Sequence, residues 1–300
     1  MKIPEWRSIP EPRFPISSKY VLRWVTAPLK SFIFTQICKI NNDKFFVIIF
    51  RAINFLLLRW RINLDYISNE KIFKISDGDI KIFIKHKTYI NLYTQGINQR
   101  LKKLESEYLL NNLDIKKNDI VIDIGACIGE VSMILCQKYN CKIFAFEPEE
   151  TEFKCMKKNL INFKFNSYNI PLWKEEKEIP FYSANNMHDS SCFEIENYTH
   201  VIKKKTSTLD KIFSDIILKN KLKKIKLLKL EAEGAEPEIL LGAKKIINNI
   251  EYISVDVGPE RGVKYETTLV ETVNFLKDNN FEFIKLSTPR LICLFKNKKY

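Results

Sequence analysis

The chain has 300 residues, 45% of them hydrophobic, with 8 Gly, 11 Pro and no internal repeat; this excludes collagen-like, solenoid and low-complexity classes and predicts one large globular domain with an extension, or two smaller domains. Its 49 Lys and Arg against 36 Asp and Glu give a net charge of +13, which suits an anionic partner and equally fits the Lys-, Ile- and Asn-rich bias of an AT-rich genome. The seven cysteines are an odd count with no Cys-x-x-Cys pair, which disfavours zinc sites and disulfide frameworks and predicts reduced thiols in a cytoplasmic protein.

Residues 1–64 form a basic, aromatic N-terminal extension. Four prolines in the first fifteen residues argue against a secretory hydrophobic segment. The longest apolar run, Phe45 to Leu58, is interrupted by Arg51 and Asn54 and falls short of the about 20 apolar residues a spanning helix needs. Helical spacing over Lys44 to Ile62 gathers Lys44, Arg51, Asn54, Arg59 and Arg61 into one polar sector, with Phe45, Phe46, Ile49, Ile53, Leu56, Leu57 and Trp60 largely outside it. Such a helix either packs its apolar side on the following domain or lies peripherally in the interface of an anionic membrane.

Residues 65–117 read as a small α+β adaptor. KIFKI and IKIFIK flank Ser76-Asp77-Gly78-Asp79, the pattern of a hairpin with a glycine-containing turn. Leu101, Leu104, Tyr108 and Leu109 then recur at helical spacing.

Residues 118–300 alternate strand and helix. DIVIDIG, KIFAFEP, IKLLKLEAEG and EYISVDVG are short apolar runs that end in polar or glycine-rich sequence. Helical stripes follow at Val131–Leu135, Phe153–Leu160, Ile239–Ile247 and Leu269–Leu276, and FEFIKL and RLICLFK close the chain as two strands joined by Ser287-Thr288-Pro289. Apolar strands alternating with helices predict an α/β fold with a mostly parallel sheet covered on both faces.

In such sheets ligands sit beyond the C-terminal ends of the strands, at a topological switch point. After the first strand, Gly125 and Gly129 permit close backbone approach, and Asp123 precedes the turn; a plain tight turn would use the same residues. Glu147, followed by Pro148, ends the next strand 22 positions after Gly125, where a carboxylate accepts hydrogen bonds from a ribose diol. The Gly-x-x-x-Gly spacing, with Cys127 where a nicotinamide-binding turn carries its central glycine, favours a nucleoside cofactor without a pyrophosphate over NAD.

At the third strand end, Glu231 and Glu233 share a face if the strand continues through Glu233, and such a pair would serve as base or substrate grip; Glu233 or Glu236 capping the following helix is the alternative. At the fourth, Asp256 and Glu260 fall near the strand end, and Arg261 either fixes an anion or forms a loop salt bridge.

VIDIGACIGEVS, FAFEPEE, STLDKIF and LLKLEAEGAEPEILLGA, together with NIPLWKEEKEIPFY, resemble the FkbM-like methyltransferases over about Asn118 to Leu286. The resemblance implies a class I, Rossmann-like, seven-stranded fold that uses S-adenosyl-L-methionine, with Asp123, Gly125 and Gly129 on the methionine side of the cofactor, Glu147 at its ribose, and Ala126, Cys127 and Pro148 also among the cofactor-binding residues. Glu231, Glu233 and Glu236 match the family's acidic motif. Two departures are Cys127, where Asn is usual, and Glu231, where Asp is usual.

The implied reaction is methyl transfer to a hydroxyl, on a sugar of a glycan or glycolipid or on another natural product. Glu233 or Glu231 is the expected base, with Asp256 in reserve and His188 a further candidate. No metal is expected, although Glu231, Glu233 and Asp256 would suit Mg²⁺. Competing readings are a catalytically inactive binding module and an NAD-binding oxidoreductase. Nucleic acid is disfavoured as a partner: Lys203–Lys205 and Lys219–Lys226 are charge runs of the kind usually found on solvated faces.

Overall fold

The computed structural model describes residues 29–184, 190–220 and 224–300. His188, the proline-rich start and part of the Lys219–Lys226 run lie outside the described residues. The chain divides into two compact units, Met1–Arg59 and Trp60–Tyr300.

In the first unit, helix α1 (residues 29–38) precedes α2 (Asp43–Ile53), which runs on into a π-helical turn at Asn54–Leu58. Helix α2 starts where Asn42 Oδ1 accepts the Phe45 N–H at 3.0 Å, an N-cap that satisfies an otherwise orphaned donor. The helical stretch stops at Arg59, which adopts a left-handed conformation (φ 51°), so it ends earlier than the expected Ile62. Phe46, Val47 and Phe50 are buried, and Phe50 meets Phe34 of α1 edge-on at 6.3 Å. Phe45, Ile48, Phe55, Leu56 and Leu57 remain exposed.

The second unit opens with an antiparallel meander: β1 (Asn63–Ile67), β2 (Ile72–Asp77) and β3 (Ile80–Ile84). Gly78 (φ 60°) makes the β2–β3 turn, as the sequence predicts. After a 3₁₀ segment, α3 (Ile97–Glu107) begins where Asp77 Oδ2 accepts the Ile97 N–H.

The large sheet is built from β4 (Ile120–Ile124), β5 (Lys142–Phe146), β6 (Phe165–Tyr168), β9 (Ile225–Leu230), β10 (Ile250–Asp256), β13 (Phe281–Ser287) and β14 (Ile292–Asn297). Their order is β13-β14-β10-β9-β4-β5-β6; β14 runs antiparallel to both its neighbours and the other pairings are parallel. Strands β4 and β9 are buried at every residue, as a sheet covered on both faces requires. Helices α4 (Glu130–Tyr139), α5 (Glu150–Asn159), α6 (Leu209–Asn220), α7 (Glu236–Leu241) and α8 (Leu269–Asp278) connect the strands.

Two ribbons are inserted: β7 (Glu178–Ala184) pairs with β8 (Tyr198–Lys205), and β11 (Pro259–Arg261) with β12 (Glu266–Thr267). The chain builds outward from β4 to β6 and then returns to β9 on the other side of β4. The β4–β9 boundary is therefore the switch point, where open α/β sheets bind ligands.

Asn159 of α5 joins the meander to this boundary. It exchanges hydrogen bonds with the backbone of Phe83 (2.7 and 3.0 Å) and donates to Ile128 O at 2.8 Å.

Candidate active site at the β4–β9 switch point

The two glycines after β4 serve different neighbours. Gly125 (φ 65°) lies so close to β9 that a Cβ there would stand 1.7 Å from the Glu231 carbonyl oxygen. Gly129 (φ 85°) starts α4, and a Cβ there would meet Met156 Cγ of α5 at 2.9 Å. Gly125 borders the site cavities while Gly129 packs behind them. Asp123 is fully buried: its Oδ2 accepts from Ser132 Oγ at 2.6 Å and its Oδ1 lies 3.3 Å from Lys229 Nζ. It borders none of these cavities and reaches the site through Lys229.

Glu147 ends β5 beside the same loop. Its Oε2 accepts the Cys127 N–H at 2.7 Å and its Oε1 accepts the Glu149 N–H at 2.7 Å. Burial outweighs both bonds and pushes its carboxyl up to about 8. Cys127 Sγ lies 3.3 Å from the Tyr89 hydroxyl, and burial raises its thiol well above the ordinary range.

A first cavity opens here. Its walls include Ile124, Phe146, Leu172, Phe181 and Ile239, and its polar border includes Glu147, Glu149 and Ser191, with Pro148 also at its edge. An apolar slot with a few convergent polar groups is the usual form of a small-molecule site.

The acidic loop follows β9. The strand ends at Leu230 and Glu233 turns left-handed (φ 50°), so Glu231 and Glu233 do not continue one strand face. A non-glycine residue in this region carries strain of a kind that concentrates at functional sites. Glu236 is the internal cap: its Oε1 accepts from the N–H groups of Ala232 (2.7 Å) and Gly234 (3.3 Å), and Thr268 Oγ1 donates to its Oε2. Burial pushes its carboxyl up to about 7. Arg261 pairs with Glu238 through both terminal nitrogens, at 2.9 and 2.7 Å, so its loop salt bridge is the form observed.

Glu231 sits in a chain of alternating charge that crosses the strand ends. Lys229 Nζ, itself buried, lies 3.3 Å from Asp123 and 3.2 Å from Glu231, and donates to Gly125 O at 2.7 Å. Arg290 then bridges Glu231 and Asp256, and the Tyr108 hydroxyl donates to Glu231. Burial alone would raise the Glu231 carboxyl, but Lys229 and Arg290 hold it well below the carboxylate range. Burial and the neighbouring Glu231 charge raise Asp256, and burial with the Asp256 and Glu231 charges pushes Glu260 up to about 8.

A second cavity is bordered by Gly125, Ala126, Cys127, Tyr108, Lys229, Glu231 and Arg290, and shares Gly125, Cys127, Glu231 and Glu233 with the first. A third is bordered by Glu196, Asn197, Glu233, Glu260 and Tyr265. Glu233 borders all three.

The structure thus gathers Gly125, Ala126, Cys127, Glu147, Pro148, Glu231 and Glu233 around neighbouring cavities that share lining residues, and adds Asp256 through Arg290. Sequence reading missed Tyr108, Lys229 and Arg290. The two lysines inside the otherwise apolar strand IKLLKL were a usable signal for Lys229, because a buried charge there needs buried partners. Nothing local marks Arg290 or Tyr108.

Residues 123–283 match the model of the family described as methyltransferase FkbM domain. No curated protein matches the chain. Similar solved structures include TrmK of M. capricolum in complex with S-adenosyl-homocysteine (14% identity, covering 67% of this chain and 69% of that one, TM-score 0.37). Precorrin-6y C5,15-methyltransferase of Geobacter metallireducens (15%, 65% and 88%, TM-score 0.40) and ribosomal protein L11 methylase of Lactobacillus delbrueckii subsp. bulgaricus (12%, 67% and 78%, TM-score 0.37) are others.

Proposed function

Since the chain belongs to the FkbM methyltransferase domain family and so transfers methyl groups from S-adenosylmethionine, we propose that its acceptor is a hydroxyl group, on a sugar of a glycan or glycolipid or on a related natural product. The observation that carries this reading is Glu233, which borders the cavity beside Glu147 and also the cavity beside Tyr265. The residues fit the donor: the carboxyl of Glu147 suits a ribose diol, and the apolar walls at Phe146, Leu172 and Ile239 suit an adenine ring.

When bound, the donor's sulfonium supplies the electrophilic methyl group. The chain's residues then align the acceptor oxygen and manage one proton. Glu233 takes that proton. Glu231 is unsuited to the task, because Lys229 and Arg290 lower its proton affinity well below that of an ordinary carboxylate and so make it a weak base. Asp256 accepts two bonds from the Arg290 guanidinium, at 3.0 and 2.6 Å, and stands in reserve.

The acceptor side offers the Tyr265 ring, with Glu196, Glu233 and Glu260 around it, and Tyr265 donates to Glu196 at 3.3 Å. Carboxylates accept from sugar hydroxyls and repel phosphates, which favours a hydroxylated acceptor over a nucleic-acid backbone. Incubating the full chain with methyl-labelled donor and a panel of glycans, glycolipids and RNA tests this. Label is expected on a hydroxyl of a carbohydrate-containing acceptor. Label on RNA alone refutes the acceptor class, and failure to bind S-adenosyl-homocysteine favours the inactive binding module.

Cofactor affinity should rise with pH. The Glu147 carboxyl is held up to about 8 in the free chain, and ribose hydroxyls donate to its ionised form, so binding below that pH expels a proton. Calorimetry with S-adenosyl-homocysteine should show affinity climbing by up to about tenfold per unit between about pH 6 and 8 and then levelling. Glu147→Gln should bind weakly and lose the slope; a slope retained in that variant assigns the proton elsewhere. The same shift opposes folding as pH rises from the ordinary carboxylate range towards 8, because the native chain holds a proton that the unfolded chain has released.

The proposal extends to a peripheral contact of the first unit with an anionic membrane. Residues 1–59 carry ten Lys and Arg against three Asp and Glu, and Phe55 is 82% exposed beside exposed Leu56 and Leu57. Among the described residues no helix is long and apolar enough to cross a membrane. Basic charge beside exposed apolar side chains suits an interface. The full chain should sediment with anionic vesicles, less so at high salt, and Phe55→Asp combined with Leu56→Asp should reduce binding severalfold. Equal binding to neutral vesicles, or none to anionic ones, ends this reading.

A further inference from the structure

We propose that Arg290 is the resident cation of a three-carboxylate site, that its guanidinium stands where a divalent ion would otherwise be held, and that it thereby positions Glu231 and Asp256. The positioning role rests on the reading of this region as the site of methyl transfer. The cation role does not, and its test needs no turnover.

Glu231 follows β9, Asp256 ends β10 and Glu260 lies in β11. Each presents a carboxylate oxygen, and these three atoms all lie within 4.8 Å of one another. Hard oxygen ligands converging from separate elements suit a divalent cation. A partly buried cluster of like charges is stable only with a compensating cation or with protons.

The guanidinium of Arg290 meets that need. It comes from the segment joining β13 to β14, far along the chain from all three acids. Its Nη2 contacts Glu231 Oε1, lies 2.6 Å from Asp256 Oδ2 and faces Glu260 Oε1 at 3.9 Å; its Nε donates to the same Asp256 oxygen at 3.0 Å.

The remaining oxygens are held from outside the cluster. Glu231 Oε2 accepts from the Tyr108 hydroxyl and lies 3.2 Å from Lys229 Nζ, and Asp256 Oδ1 accepts the Gly258 N–H at 2.9 Å. The inward oxygens of Glu231 and Asp256 thus go to Arg290 and the outward ones to other donors, so one planar side chain fixes both carboxylates at once.

A guanidinium neutralises and orients but has no open coordination position. Arg290 therefore supplies charge and geometry to the site, without Lewis acidity toward an acceptor oxygen. Removing it should expose oxygen ligands already arranged for a metal.

The test uses Mn²⁺ with the full chain, read by calorimetry and confirmed by terbium luminescence. Wild type should bind no Mn²⁺ at this cluster. Arg290→Met should gain one site with a Kd of about 10⁻⁴ to 10⁻³ M, and adding Asp256→Asn should abolish it. Arg290→Lys, which keeps a cation in place, should gain none.

With the acceptor found by the labelling panel, Arg290→Met should lose kcat with the donor KM little changed, and added guanidinium ions should restore part of the loss. A folded Arg290→Met that binds no Mn²⁺ overturns the proposal. So does wild-type binding that Asp256→Asn removes, a measurement that stands even if Arg290→Met fails to fold. Chelator-insensitive turnover of the wild type is the expected companion result, and its abolition by chelator would also overturn the proposal.

Discussion

Gly125→Ala should be among the most damaging single-methyl additions in this protein, costing about 3 kcal/mol of stability together with most of the affinity for the cofactor. Two effects combine. Gly125 holds φ at 65°, a left-handed conformation that costs an L side chain about 1–2 kcal/mol. The new Cβ would also stand 1.7 Å from the Glu231 carbonyl oxygen and 2.9 Å from its carbon.

Those atoms are backbone, so no rotamer change relieves the contact, and overpacking of this kind costs about 1–3 kcal/mol. Relief requires parting the ends of β4 and β9, where the Glu231 N–H bonds Ile124 O and Lys229 bonds Gly125 O. The cavity wall therefore moves with the fold. Gly129→Ala is the control: its nearest obstacle is a flexible methionine side chain at 2.9 Å, and it should cost less. Urea unfolding with calorimetry of S-adenosyl-homocysteine reads both losses. A Gly125→Ala chain with wild-type stability and affinity would show that the two strand ends do not approach as described.

Glu233→Gln should leave the fold and cofactor affinity nearly intact and lower methyl transfer by about 10²- to 10⁴-fold, the range for loss of a positioned general base. The substitution keeps size and polarity and removes the proton acceptor. Glu231→Gln should behave differently. It takes the negative charge from between Lys229 and Arg290, which lie 3.2 Å from and in contact with that carboxylate, so its primary effect should be on stability. The comparison separates an acid that works from one that holds. Turnover by a folded Glu233→Gln near the wild-type rate would pass the base role to Asp256.

How far the site could be read from sequence depended on whether each signal was local. DIVIDIG and IKLLKL announced β4 and β9 because strands buried on both faces are predominantly apolar, and two of the charges inside them, Asp123 and Lys229, pair with each other. Gly125 announced the turn because few other residues tolerate φ 65°. Glu147 was legible because a carboxylate at the end of the second strand is a property of chain order. The β7–β8 ribbon was not legible: β8 is exposed at almost every position, so no alternation marks it. Helix α2 was overextended because the apolar spacing continues to Trp60, whereas the chain turns left-handed at Arg59.

By itself, the sequence determined the α/β class, the order of the principal strands along the chain, the glycine turn that lets β4 close on the end of β9 and the family. Each of these follows from burial periodicity or backbone freedom within a few residues. Only the tertiary structure decided the charges of the acids. Glu231 meets Tyr108 across 123 residues and Arg290 across 59, and whether a carboxylate acts as base, cap or counter-ion depends on the cation folded against it. That pairing is set by strand order, since Coulomb attraction depends on distance in space and not on separation along the chain.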